Sequence, residues 1–249
     1  MLGSAASVAN PNMVLNTAVA EALAQFYGEL KDTAPEEMEH AVHEMIKRAI
    51  KKHKKVIFNG NGYTEEWVKE AKARGLYNLV STPEALPRFI ADKNLDLFIK
   101  HGVFTKEEIL SRYEILLETY SKTVAIESKT MQEMLTKDFL PAVNSYAACT
   151  AKNAADKKAL VPGLSTASEE ALVTRLTELS NAITSGTAVL KEATARAESV
   201  EDMQEQAEQF LTKVLPVMDE LKLAANEAET KIPDEYLPYP TYDHLLFYV

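Results

Sequence analysis

Glycine and proline are scarce in this chain, 8 and 10 of 249 residues. A fold of many short strands needs a turn every few residues, and turns draw on those two residue types. Their scarcity therefore points to long helices. Cysteine occurs once, as Cys149, which excludes an internal disulfide and suits a reducing compartment. No apolar run approaches the roughly 18–20 residues that span a bilayer. The opening residues 1–15 carry no basic stretch, so no signal peptide is expected. Cationic excess is also lacking: 27 Lys and Arg stand against 37 Asp and Glu, a net charge of −10. That balance disfavours a nucleic-acid-binding face. The expectation is a cytoplasmic protein that engages neither nucleic acid nor membrane.

What remains is ordinary globular material, 46% apolar and 26% charged, with strong helical periodicity. Asn10-Pro11 marks a helix start, and Val14, Leu15, Val19, Leu23 and Phe26 make its apolar face. A second helix is expected from Pro35, with Met38, Val42, Met45, Ile46 and Ile50 on one side. It ends in Lys47, Arg48, Lys51, Lys52, Lys54 and Lys55, which is either a solvated helix end that complements the dipole or an anion site.

The block from Val56 to Phe89 departs from long helix. Val56-Ile57-Phe58 reads as a short β element, and Asn59-Gly60-Asn61-Gly62 as a turn using positive φ. Thr64 and Ser81 are placed to cap two short helices, the first closed by Gly75. From a capping box at Thr105–Glu108 the pattern is helical up to Pro162-Gly163, with Pro141 expected to kink it without ending it. A second capping box, Thr166–Glu169, opens the next helix, whose seam is Leu172, Leu176, Leu179, Ile183 and Leu190. Ser199 is expected to cap the last long helix, with Met203, Ala207, Phe210, Val214, Val217, Leu221 and Ala224 inward and a bend at Pro216. The expected segments are 1–55, two helices; 56–104, a strand–turn–helix connection; 105–232, a long antiparallel three-helix bundle; and 233–249, an aromatic, Pro-rich tail docked on the helices.

Chemical motifs are few. The FNGNGY run lacks the Lys-Ser/Thr ending of a phosphate loop. Glu37-x-x-His40 is half of a two-metal carboxylate site, and no second Glu-x-x-His exists. Cys149 sits beside Ala147 and Ala148 as a small buried filler, and Trp67 reads as core. No catalytic, cofactor-binding or metal-binding residue is assigned.

The runs VIFNGNGYTEEWVKEA, STPEALPRF and YLPYPTYDHLLF resemble the C-terminal region of the type III glutamine synthetases, the large bacterial class of that family. The likeness extends over essentially the whole chain. It implies the last helices of a catalytic domain, followed by a helical extension. The parent activity it implies is ATP-dependent ligation of ammonia to glutamate. ATP and Mg would be bound by residues preceding Met1, the isolated chain would be inactive, and the parent would assemble as stacked hexameric rings. Met1–Ser4 would fall just after a strand carrying a metal-binding glutamate and a substrate-binding arginine. The alternative is a stand-alone helical scaffold or interaction protein with no enzymatic activity.

Overall fold

The computed structural model describes residues 7–247, and Met1–Ser4 lie outside that range. Among the described residues every regular element is helical. They divide into two compact units, 1–115 and 116–249.

The first unit opens with α1 (Ala9–Leu30) and α2 (Met38–His53). The expected β element is absent. Lys54–Val56 is a 3-10 turn that continues α2, and Ile57 is extended but pairs with nothing as a strand. Three apolar residues without a partner strand gain no ladder, so Phe58 instead stacks on Trp67, centroids 3.8 Å apart. The glycine turn is also built differently from expectation. Neither Gly60 nor Gly62 adopts positive φ. A Cβ at Gly60 would stand 2.6 Å from the Phe58 ring, which would have to shift to admit it.

Three capping expectations hold here. Thr64 accepts the Trp67 N–H at the start of α3 (Glu65–Ala73), and Gly75 follows with φ 71°. Ser81 and Glu84 form a reciprocal capping box on α4 (Thr82–Phe89). Thr105 and Glu108 form another on α6 (Lys106–Met134), after α5 (Asp92–Lys100) ends at Gly102, φ 62°. Phe98 anchors this region, edge-on to Phe89 and tilted against Phe104.

The second unit is a three-rod antiparallel bundle. One rod continues α6 through a π-helical turn, Leu135–Phe139, into α7 (Leu140–Leu160). The central rod is α8 (Ala167–Glu198). The third is α9 (Met203–Gln209), a π-helical turn at Phe210–Val214, and α10 (Leu215–Glu229). The register between the first two rods is fixed along their length. Lys157 pairs with Glu169, the Ser180 hydroxyl donates to Asn144, and Lys129 pairs with Glu198. Leu176, Leu179, Ile183 and Leu190 are buried along α8, facing Val143, Phe139, Phe210, Val214 and Leu221 in one core. Each such side chain contributes about 1.5–3 kcal/mol by area. Met203, expected inward, is exposed.

Two helix starts differ from expectation. Thr166 does not cap α8: its hydroxyl donates to the Glu170 carboxylate, while Glu169 turns to Lys157 and Ser168. Ser199 closes α8 instead of opening α9, donating to the Arg196 carbonyl, and Asp202 takes the N-cap role by accepting the Glu205 N–H. An acidic first turn recruits whichever cation is nearest, and Lys157 wins over the local backbone.

Pro141 and Pro216 each follow one of the π-helical turns. Proline has no N–H to donate and its ring crowds the carbonyl four residues back. One wide turn just before it removes the conflict: the Leu140 N–H reaches Leu135 O, and the Leu215 N–H reaches Phe210 O. Both rods therefore continue past their prolines.

Candidate functional site

A groove lies beside the first of the two wide turns. Leu135 and Phe139 enter it from the first turn, and Met131, Met134 and Ile126 from the helix before it. Met218 and Ala225 of α10 form the opposite wall. Leu237 and Tyr239 of the tail close one side, and Glu127, Lys222 and Glu229 supply the polar rim. Its volume is about 490 Å3. Three methionines give the lining a soft surface that adapts to shape.

The sequence around the first turn explains why the groove lies there. Met131, Leu135, Phe139, Val143 and Ala147 face the core at successive steps of four. In a regular α-helix each step of four overshoots a full turn by about 40°. The extra residue of the wide turn takes up that drift, and the widened backbone leaves Met134 half outside the core.

The tail is anchored beside this turn. Ile232 is buried, Tyr236 packs against Tyr146 at 5.1 Å, and Leu237 joins the same core. The Tyr239 hydroxyl donates to the Asp138 carboxylate at 3.0 Å, with Met134 O a second acceptor at 3.3 Å. Burial and the Asp138 charge raise that phenol to about 12. A hydrogen bond with the Cys149 thiol, the largest cause, raises the Tyr236 phenol too. Cys149 is thus a half-buried contact for the tail, where a buried filler was expected. Beyond the 3-10 turn at Asp234–Tyr236 the chain forms α11 (Tyr242–Leu246), and Phe247 of the tail expected to dock is exposed. Among the described side chains, Tyr236, Leu237 and Tyr239 hold the tail.

Elsewhere the polar clusters are structural in kind. Glu21 of α1 receives Lys100 at 2.8 Å and His101 at 2.7 Å. Hydrogen bonds from Lys100, Gln25 and His101 bring its carboxyl down to about 2. Arg175 of α8 holds Glu227 of α10 through two parallel bonds, at 2.7 and 2.6 Å, and those bonds raise the guanidinium further. The cations ending α2 lie at the surface, with Lys47 on Glu44 and Arg48 on Glu29. Among the described residues no three His, Cys, Asp or Glu side chains come together as metal ligands, so Glu37 and His40 complete no set. No described helix is long and apolar enough to cross a membrane. The groove's apolar lining can hold an apolar segment or ligand.

Residues 41–158, from α2 to near the end of α7, match the family described as Glutamine synthetase C-terminal domain. The chain is 46% identical over 212 residues to "Glutamine synthetase" of Butyrivibrio fibrisolvens, covering 85% of this chain and 30% of that protein. It is 31% identical over 255 positions to "Type-3 glutamine synthetase" of Dictyostelium discoideum, covering 99% and 34%. Against "Glutamine synthetase" of Bacteroides fragilis (strain YCH46) it is 28% identical, covering 98% and 34%. The chain thus spans about a third of the length of the relatives it matches.

Proposed function

We infer, from a chain that belongs to the glutamine synthetase family as part of its C-terminal region, that it serves as the helical scaffold of an enzyme joining ammonia to glutamate at the expense of ATP. The observation that carries this reading is 46% identity over 85% of the chain to a protein named for that activity. The likeness to a type-3 member over 99% of the chain supports the same class.

In this reading the chemistry lies in the part that precedes the chain. Phosphoryl transfer needs divalent metal and cationic clamps around the γ-phosphate, and the described residues bring no such ligand set together. In this reading ATP and Mg are bound by the preceding part. What the chain supplies is stiffness. The rod from Lys106 to Leu160 is roughly 80 Å long at 1.5 Å per residue. Its core seam and the Lys129–Glu198 and Lys157–Glu169 pairs hold it against α8, and the bidentate Arg175–Glu227 link ties α8 to α10. Such a rod fits contacts between subunits of a cytoplasmic homo-oligomer of stacked hexameric rings.

The test is a hybrid: the Butyrivibrio fibrisolvens enzyme with its matching region replaced by this chain. It should form glutamine from glutamate, ammonia and ATP, while the chain alone forms none. A well-folded hybrid without activity, or an active isolated chain, would overturn the reading in favour of a stand-alone scaffold or a different enzyme.

A further inference from the structure

The groove beside the first wide turn has the dimensions of a small-molecule site. Its volume of about 490 Å3 falls within the roughly 300–1,000 Å3 usual for ligand pockets. All of its walls belong to the second unit: α6 and the wide turn on one side, α10 on the other, and the tail across one edge. These walls are fixed without a ligand. Leu135 and Phe139 belong to the buried core, and the Tyr239 hydroxyl is tied to Asp138. A site held in shape this way costs an incoming molecule little ordering entropy.

The lining selects the chemistry of the guest. Met131, Met134 and Met218 bring three thioethers to the walls, and Phe139 adds a ring. Sulfur against a ring edge is a favourable contact, so an aromatic body gains more here than an aliphatic one. The rim is anionic. Glu127 and Glu229 stand there against one cation, Lys222, and Asp138 lies beside them under the Tyr239 hydroxyl. The ion pairs of α10 are made by Glu227, and among the described residues Glu127 and Glu229 make none. Two exposed carboxylates without a cation of their own favour a positive guest, and the net charge of −10 repels a negative one.

A partner helix is the competing occupant. At 10–12 Å across and 5.4 Å per turn, one helical turn fills on the order of 500 Å3. The groove takes about one such turn, too few for the i, i+4, i+7 anchors by which a docked helix is recognised.

We propose that this groove is a binding site for a small aromatic cation, its ring body against the methionines and Phe139 and its ammonium group at the rim that carries Glu127 and Glu229. The inference needs only the bundle and is independent of the family reading above.

Isothermal titration calorimetry of the whole chain tests it with three probes of nearly one shape: naphthylethylamine, naphthylethanol and the naphthaleneacetate anion. The amine should bind at one site per chain, roughly tenfold tighter than naphthaleneacetate, with the alcohol between them. Attraction in one case and repulsion in the other each shift affinity by about threefold at an exposed rim. Thr130→Trp fills the groove from an exposed position and should abolish the binding. Glu127→Gln/Glu229→Gln changes two exposed side chains, so it should leave the melt unchanged and remove the preference for the amine over the alcohol. Absence of amine binding to the unsubstituted chain overturns the proposal. Binding that survives Thr130→Trp does so too, because the probe then sits on another apolar surface. So does equal affinity for the amine and naphthaleneacetate, or a preference that the double variant leaves intact. Should Thr130→Trp unfold the chain, the double variant decides by the same criterion. A cationic amphipathic helical peptide that binds where no probe does, and is lost with Thr130→Trp, overturns the proposal in favour of a protein-docking face.

Discussion

Ser128 of α6 and Thr194 of α8 meet in the bundle core with both side chains almost wholly buried and their oxygens 2.6 Å apart. The proton positions can be worked out. Thr194 Oγ1 lies 2.8 Å from the Leu190 carbonyl, which can only accept, so the threonine proton is committed there. Ser128 must then donate to Thr194, and it accepts from Gln132 Nε2 at 3.1 Å. Replacing Thr194 by Val keeps the shape and removes the acceptor. The Ser128 proton is stranded where water cannot follow, which costs about 1–3 kcal/mol. Rotation of Ser128 onto the carbonyl four residues back recovers part of that, so about 1.5 kcal/mol is expected. Ser128→Ala leaves the Thr194–Leu190 bond intact and frees the half-buried Gln132 to reach water, at about 0.5–1.5 kcal/mol. The double variant has no stranded donor and should cost no more than Thr194→Val alone. A double-mutant cycle from urea denaturation followed by circular dichroism should therefore give a coupling of about 1 kcal/mol, with the double variant more stable than the sum of the singles. Additivity within about 0.3 kcal/mol would refute the assigned donor chain.

Leu176 has no exposed surface and sits mid-seam, so Leu176→Asp buries an unpaired charge and should cost at least 4 kcal/mol, seen as loss of the cooperative melt. An unchanged melt would mean the seam is misassigned. The Glu21 carboxyl is brought from 4.5 down to about 2 by its hydrogen bonds to Lys100, Gln25 and His101. A depressed acid stabilises the fold above its unfolded value, and that contribution is lost as pH falls from about 4.5 through 2. Glu21→Gln should remove this part of the acid dependence, read by thermal melts between pH 2 and 6. Trp67 is the single tryptophan and stacks on Phe58. Gly60→Ala pushes a methyl into that ring, so it should shift the emission of Trp67, whereas Gly62→Ala, with open space around it, should not.

The sequence by itself determined the helices, their order and most of their ends. Leucines at alternating steps of three and four can satisfy only one buried face, so Leu176, Leu179, Ile183 and Leu190 were legible as a seam before any fold was known. Serine, threonine and glycine at Thr64, Ser81, Thr105, Gly75 and Gly163 act on their own neighbours within a few residues, which is why those ends read correctly. Expectations failed where a distant group competed. Glu169 left the α8 start for Lys157, Ser199 served the helix behind it, and Val56–Phe58 found an indole in place of a strand. The π-helical turns were half legible: the prolines announced a disturbance, while the run of core positions at steps of four, Met131 to Ala147, carried the signal of an extra residue.

Tertiary structure alone decided three things. The groove exists because the first wide turn, α10 and the tail converge from segments about a hundred residues apart, as Tyr239 and Asp138 show. Gly186 reads as a helix-weakening residue in sequence, yet a Cβ there would meet Leu221 at 2.8 Å, so it sets how closely α8 and α10 approach. Leu15, Val19 and Leu23 of α1 read as core and are exposed, because periodicity fixes which side chains share a face. It does not say what covers that face, which depends on the surfaces that reach it in three dimensions.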